Sequence, residues 1–325
     1  MVSLGGSKLN SRQVTTITPN PAIDKTYWID GFRANKQNRV SRVRIDPGGK
    51  GLNIARILKG FGLEGTALGF FGGMIGRELI NLLTEEGINI VPVFTDANTR
   101  TNTKIMDPVS GEETEINEPG PLIGETEKKQ LRQYVQEYAA KSAYMVFSGS
   151  LPPGCEPDFY QGLITTARKF NCKTILDTSE VALREGIKAA PYLIKPNHHE
   201  LSELMGRKIE SPAAAAAAAT RVRNAYGVEE VVVSLGGLGA VLAASGGTFH
   251  AISPKVKPEN TIGAGDSLVA GLIYGMASGH PPVECLRLGV AAGTLAVIDQ
   301  GTSVSKPQVE AMMDFVKTVE INRLI

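Results

Sequence analysis

The stretch of this sequence with most chemistry in it is Asn260-Thr261-Ile262-Gly263-Ala264-Gly265-Asp266-Ser267, which runs into an apolar, helix-like segment at 268–277. Two glycines before a helix let several backbone N–H groups converge, and the free amides and dipole of that end attract an anion. A carboxylate in the first turn, beside the anion, suits phosphoryl transfer. That reaction needs positioning, charge stabilisation and a base for the attacking hydroxyl. Asp266 is then the candidate base, and the amides of Gly263, Ala264, Gly265 and Asp266 are the candidate anion hole. The same residues also read as a tight turn and an ordinary first-turn acid, and the segment alone leaves both readings open.

A second glycine-rich segment, Pro47-Gly48-Gly49-Lys50-Gly51-Leu52-Asn53, also precedes a helical pattern. Glycines there let backbone approach a ligand closely, and Lys50 and Asn53 can donate to sugar hydroxyls. The G-G-x-G spacing differs from the G-x-G-x-x-G of dinucleotide sites, and no ribose-binding acid follows at the right distance. His198 and His199 invite a metal reading, but adjacent residues on a helix do not face one another, so no transition-metal site is expected.

Taken together, Gly48-Gly49-Lys50-Gly51-Leu52-Asn53-Ile54-Ala55 and the segment around Gly263-Ala264-Gly265-Asp266 resemble the two signatures of the ribokinase-like sugar kinases, specifically the phosphofructokinase-B branch. The likeness runs over nearly all of residues 14–318. It implies a Rossmann-like ribokinase fold with a β-sheet lid, and ATP with Mg2+ as phosphoryl donor. It also implies that Asp24 accepts hydrogen bonds from the sugar, with Gly48, Gly49, Lys50 and Asn53 beside it.

Asn197 and Glu200, in Lys195-Pro196-Asn197-His198-His199-Glu200, match the family's N-x-x-E motif. That implies a place near Mg2+ and the nucleotide phosphates, and Lys195 is expected to reach those phosphates. Mg2+ prefers oxygen ligands and keeps several waters, so a carboxylate can act through them. Ser234, Gly236 and Gly239 match the family's nucleotide loop. The family's requirement for a monovalent cation such as K+ stays open here.

For the acceptor, a phosphorylated sugar needs cations at its far end, and arginine suits phosphate. Arg100 falls where phosphosugar members carry a phosphate-binding arginine. Arg39, in the expected lid, is a second candidate, and Ser150 is expected to touch the same phosphate. Stretches at 114–121, 186–207 and 271–275 look most like 1-phosphofructokinases, and Glu115 stands where the minor 6-phosphofructokinases carry an arginine. The resemblance thus implies fructose 1-phosphate as acceptor, ahead of tagatose 6-phosphate and fructose 6-phosphate. A non-catalytic sugar-phosphate sensor would have lost the base or broken the anion hole, and Asp266 and both glycines are present.

To hold these segments the chain must supply strands that end at a common edge. The β-branched run Val14-Thr15-Thr16-Ile17-Thr18 reads as a first strand, stopped by Pro19-Asn20-Pro21. After Pro121, helical patterns at 125–141, 157–170, 181–189 and 211–226 alternate with strands at 144–148, 173–177, 192–194, 230–234 and 240–244. Such alternation means βαβ units in a mostly parallel central sheet flanked by helices, with ligands beyond the carboxyl ends of the strands. Two less regular stretches, 25–46 and 91–118, are expected to pair as the small lid. Residues 1–13 read as a loose leader to a single domain spanning 14–318.

Bulk properties agree with this. The chain has 325 residues, with 34 Lys and Arg against 33 Asp and Glu. That balance argues against a dedicated nucleic-acid binder. The three cysteines form no C-x-x-C, which fits a reduced, cytoplasmic chain without a zinc framework. No apolar run approaches the ~20 residues of a membrane span. The expected partners are therefore a sugar phosphate and ATP, with no nucleic acid and no membrane. By likeness to the family, a homodimer through the lid is also expected, with Tyr27 or Trp28 exposed for it.

Overall fold

A computed structural model describes residues 13–258, 263–298 and 308–324. The expected leader, save Gln13, and Asn260-Thr261-Ile262 lie outside the described residues. The first half of the chain runs β1 (Gln13–Thr18), β2 (Ala22–Trp28), β3 (Arg42–Gly48), α1 (Lys50–Gly60), β4 (Gly65–Gly72), α2 (Gly73–Glu85), β5 (Asn89–Thr95), β6 (Arg100–Met106) and β7 (Glu113–Asn117). It continues through α3 (Glu125–Ala139), β8 (Ser142–Ser148), α4 (Phe159–Arg168), β9 (Lys173–Asp177), α5 (Glu180–Gly186), β10 (Leu193–Ile194), α6 (His198–Met205) and α7 (Pro212–Tyr226). Then follow β11 (Glu230–Ser234), β12 (Ala240–Ala244), β13 (Gly247–Ile252), α8 (Ala264–Ala277), α9 (Pro282–Ile298), α10 (Gln308–Val316) and β14 (Glu320–Arg323).

Among the described residues, ten strands form one sheet in the order β14-β13-β12-β11-β10-β9-β8-β1-β4-β5. From β11 to β5 every neighbouring pair is parallel, and the last three strands are antiparallel. Parallel strands covered by helices on both faces bury both sets of side chains. Ile17, Phe147 and Leu176 point into one core, with α3, α4 and α7. Val14, Val146 and Ile175 point into the other, with α1, α8 and α9. Fully burying side chains of this size contributes roughly 1.5–3 kcal/mol each.

The helices begin where their caps place them. Ser211 Oγ accepts from the Ala214 N–H at 3.1 Å, Pro212 occupies the first turn of α7, and Gly227 closes it in the left-handed conformation. Helix α8 is apolar on nearly every side because it lies between α1 and α9, and it is buried along most of its length.

The small sheet has the order β3-β2-β6-β7. One expectation needs correcting here. Residues 91–95, assigned by their alternation to this sheet, belong instead to β5, which pairs parallel with β4 at the edge of the main sheet. Val93 is buried in the main core and Phe94 faces solvent. An edge strand also tolerates Pro92, which has no N–H to give. At the other end, β14 lies past residue 318 and still pairs with β13.

The faces of the small sheet differ. Asp24, Thr26, Arg44, Asp46, Asn102 and Lys104 look into the cleft against the main sheet. Tyr27 pairs with Val43 and Ile105, Lys25 with Ile45, and Thr103 with Ile116, so this apolar set shares the opposite face. Val43 is 50% exposed and Ile116 57%.

Candidate active site

The order of the main sheet reverses beside β1, whose neighbours are β4 and β8. Such a switch point opens a crevice beyond the carboxyl ends of the strands. Asn20 follows β1, Gly149 and Ser150 follow β8, Asp177 ends β9, Lys195 follows β10 and Ser234 ends β11. The small sheet covers this edge, leaving a cavity of about 460 Å³. Asp24, Gly49, Lys50, Asn53, Arg100, Ser150 and Asp266, all singled out in the sequence, line it together.

Asp266 sits in the first turn of α8 and is 7% exposed. Gly263 caps that helix at φ 74°, a left-handed conformation that glycine adopts without strain. The amides of Ala264, Gly265 and Asp266 are among the first N–H groups of the helix, which have no acceptor within it. Asn53 Nδ2, from α1, donates to Asp266 Oδ2 at 2.9 Å. Burial raises the Asp266 carboxyl from 3.8 to about 6, and the Asp177 charge adds to this, while Lys50, Asn53 and Lys195 pull the other way. A base poised near neutral pH is what proton abstraction from a hydroxyl asks for.

Asp177 is fully buried, and its Oδ1 lies 3.3 Å from Lys50 Nζ and 3.2 Å from Lys195 Nζ. Burial alone would raise this carboxyl, but the two lysines hold it below its ordinary value. The Lys50 ammonium is held well above its ordinary range, by Asp177 first and then by Asp266 and Glu200. A Cβ built on Gly265 would lie 3.7 Å from Lys195 Nζ, which fixes that ammonium at the head of α8.

At the small-sheet end of the cavity, Asn102 Nδ2 donates to Asp24 Oδ1 at 2.8 Å. Burial raises the Asp24 carboxyl despite that bond and the nearby Arg100. A Cβ on Gly48 would lie 2.4 Å from the Asp24 carboxyl, so only glycine leaves Asp24 its place. Arg100 spends Nη1 on the Glu118 carbonyl at 3.0 Å and Nη2 on the Asn20 carbonyl at 3.1 Å. Asn20 Nδ2 in turn donates to Ser150 Oγ at 3.2 Å.

Several buried polar atoms without a protein partner belong to residues that line the cavity: Asn20 Oδ1, Asn53 Oδ1, Arg100 Nε and Asn102 Oδ1. Buried polar groups are normally paired. A concentration of unpaired ones marks where a polar ligand belongs.

Arg39 is not brought to this cavity: it is exposed in the connection between β2 and β3. Asn197 caps α6, its Oδ1 accepting from the His199 and Glu200 N–H groups at 2.8 and 2.9 Å, while Glu200 Oε2 accepts from the Asn197 N–H at 2.8 Å. The Asn197 oxygen is thus committed to two amides and does not suit a metal; Glu200 keeps its second oxygen and its charge reaches Lys50. Among the described residues no group of three or more His, Cys, Asp or Glu forms a metal cluster. Asn197 pairs across to Ser234, and the turn that follows closes with Leu235 N–H donating to the Gly239 carbonyl at 2.8 Å. Gly236 is at φ 58° and Gly239 at φ 91° in that turn.

Sequence reasoning missed Asp177, Asn20 and Asn102. Asp177 reads as the last residue of a strand, and nothing local distinguishes it. Its place at a carboxyl-terminal strand end, opposite two lysines, is visible only in three dimensions.

A desolvated carboxylate at a helix N-terminus, two lysines beside it and a polar cleft under a small sheet define a phosphotransferase that acts on a sugar hydroxyl. The sequence pattern of the pfkB family carbohydrate kinases matches residues 14–309, and the chain belongs to that family, with its ribokinase-like fold. It is 33% identical to the 1-phosphofructokinase of Bacillus subtilis (strain 168), over 96% of this chain and 100% of that one. It is 34% identical to the ATP-dependent 6-phosphofructokinase isozyme 2 of Escherichia coli (strain K12), over 89% of this chain and 94% of that one.

The solved phosphofructokinase-2 from Escherichia coli in complex with potassium superimposes with a TM-score of 0.89 at 32% identity, covering 94% of this chain and 99% of that one. The same protein is also known in complex with fructose-6-phosphate, at TM-score 0.87 and 31% identity over 94% and 99% of the two chains, and as a tetrameric inhibited form. Among the described residues no helix is long and apolar enough to cross a membrane.

Proposed function

We propose that this chain transfers the γ-phosphoryl group of ATP to the C6 hydroxyl of fructose 1-phosphate, giving fructose 1,6-bisphosphate and ADP. The observation that carries the chemistry is Asp266, buried at the head of α8 with its carboxyl raised to about 6 and oriented by Asn53. Asp266 takes the proton of the C6 hydroxyl as its oxygen attacks phosphorus. The amides of Gly263, Ala264, Gly265 and Asp266 face the transferring oxygens, and Lys50 and Lys195 offset their charge. Asp24, Gly49 and Asn53 hold the sugar. Arg100 and Ser150 stand at its far end, where the substrate's own phosphate belongs.

On the nucleotide side, Ser234, Gly236 and Gly239 offer a turn against which ATP can lie, with Lys195 and the Asn197 amide nitrogen toward its phosphates. Mg2+ is a hard cation that keeps its waters and, when bound, neutralises the phosphates. Glu200, through its free oxygen, is the residue suited to hold it. Potassium, which the Escherichia coli protein holds, is a candidate activator to titrate in the same assay.

Two features favour fructose 1-phosphate over its isomers. One is the near full-length kinship with 1-phosphofructokinases. The other is Glu115, which lines the cleft 3.1 Å from Lys104 where a 6-phosphofructokinase would carry an arginine.

The apolar outer face of the small sheet, with Val43 and Ile116 exposed, suits a second copy of the chain. The three cysteines form no disulfide, which suits a reducing compartment such as the cytoplasm.

The test is coupled ADP release with fructose 1-phosphate, tagatose 6-phosphate, fructose 6-phosphate and fructose, for the wild type and Asp266→Asn. Fructose 1-phosphate is expected to show the highest kcat/KM, and Asp266→Asn to lose most of the rate. A different winner removes the substrate assignment and leaves the mechanism. An Asp266→Asn variant as active as the wild type removes the mechanism.

A further inference from the structure

Asp177 belongs to no motif in the sequence, yet it is buried against Lys50, which lines the cleft, and against Lys195. It ends β9 in the middle of the main sheet, is fully buried, and has one oxygen within reach of two ammonium groups. Its other oxygen has no protein partner. Lys195 is 4% exposed at its side chain, so its charge too is out of water.

Two ammonium groups that close repel each other, and each sits on a flexible stem with roughly 2 kcal/mol of rotamer entropy. A single carboxylate that meets both removes the repulsion and fixes both stems to a rigid strand. Two cations against one anchor leave one positive charge to set against Asp266 and the phosphoryl group it works beside.

We propose that Asp177 is a positioning residue for phosphoryl transfer, holding Lys50 and Lys195 together at the head of α8 so that both ammoniums face the group passing to the substrate beside Asp266. The inference rests on the kinase reading above and extends it to a residue that no sequence motif singles out. The plain alternative is a buried ion pair that holds the fold together and has no part in turnover. The two differ in what loss of Asp177 does to kcat. The charged and polar side chains that face Asp266 are Lys50 and Asn53 from α1, Asp177 from β9 and Lys195 after β10. Removing the negative charge of Asp177 while keeping both lysines favours the ionised form of Asp266.

The experiment compares the wild type with Asp177→Asn, using the best acceptor from the ADP-release panel, across the pH range. Folding is checked by circular dichroism and thermal denaturation. We expect kcat to fall about 10²-fold, the cost of displacing reacting groups by about 1 Å, with a much smaller change in KM for the sugar phosphate. We expect the acid limb of kcat/KM to move to lower pH.

The limb moves to lower pH under either reading, so kcat decides. A structural ion pair would lower the melting temperature and reduce activity only as far as folded protein is lost, with kcat per folded enzyme unchanged. That result overturns the proposal. If Asp177→Asn does not fold, Asp177→Glu decides the matter, since it keeps the charge and lengthens the arm. It should lose kcat with the limb near its wild-type position, and a Glu variant with wild-type kcat overturns the proposal. Failure of the wild type to release ADP with any acceptor would refute the kinase reading itself, a result distinct from either.

Discussion

Replacing Asn53 with alanine tests how Asp266 is tuned. In the wild type, Asn53 Nδ2 donates to Asp266 Oδ2 at 2.9 Å, and that bond is among the forces holding the carboxyl down against burial. A hydrogen bond to an ionised acceptor is worth about 1.5–3 kcal/mol and one to a neutral group about 1 kcal/mol. The difference, roughly 1–1.5 kcal/mol, is about one pH unit at 1.36 kcal/mol per unit. Only ionised Asp266 can take the hydroxyl proton, so activity falls as pH drops through its pKa. Loss of the bond raises that pKa and carries the acid limb of kcat/KM from about 6 upward by about one pH unit.

The assay is kcat/KM for the sugar phosphate from roughly pH 5 to pH 9, which reports the free enzyme's ionisations. Asn53 also faces the sugar, so the plateau is expected to fall as well. The limb, not the plateau, decides. A limb that stays in place, or moves down, would refute the claim that Asn53 sets the base and leave it as a sugar contact only. Asn53→Ala and Asp177→Asn thus move the same limb in opposite directions.

Asp266 should be a burden on stability. Its carboxyl rises from 3.8 to about 6 on folding, so its contribution to stability is present below the first value and lost as pH rises through the second. Asp266→Asn is therefore expected to be more stable than the wild type by ~3 kcal/mol above neutral pH, with the gap closing in acid, as read by thermal denaturation. Gly48→Ala places a Cβ 2.4 Å from the Asp24 carboxyl. It should lower kcat/KM for the sugar by about 10²-fold while leaving KM for ATP near wild type. Gly239→Ala sets a Cβ 2.0 Å from the Ala251 carbonyl at φ 91°. The backbone strain alone costs roughly 1–3 kcal/mol, visible as a lower melting temperature. Val43→Glu, on the exposed outer face of the small sheet, should shift the chain toward monomer in size-exclusion chromatography if a second copy covers that face.

How much of this was legible beforehand follows from how far apart the cooperating residues are. The candidate anion hole is local: Gly263, Gly265 and Asp266 define a helix start, and the structure puts α8 there. The cap of α7 was legible for the same reason. Asp24, Lys50 and Asn53 could be named from their motifs, but not Asn102, which holds Asp24 from a strand 78 residues away. Asp177 was illegible because its partner Lys50 is 127 residues distant and no pattern links them. Alternation alone could not tell which sheet 91–95 would join, since an edge strand of the main sheet and a strand of the small one show the same half-buried pattern. Arg39, exposed in the β2–β3 connection, does not line this chain's own cavity, and its motif could not show that.

The junctions between the two sheets have almost no slack. Gly48 ends β3 and Lys50 opens α1, with Gly49 alone between them at φ 118°. Beside it, only Pro19-Asn20-Pro21 separates β1 from β2, and Ala22 pairs with Gly48. A turn of the small sheet about this edge is passed directly to the first turn of α1, where Lys50 and Asn53 stand. The sheet is less a door on a hinge than the long arm of a lever whose short arm carries catalytic groups. The small sheet cannot be exchanged for another as an independent specificity cassette without re-aiming the chemistry beneath it.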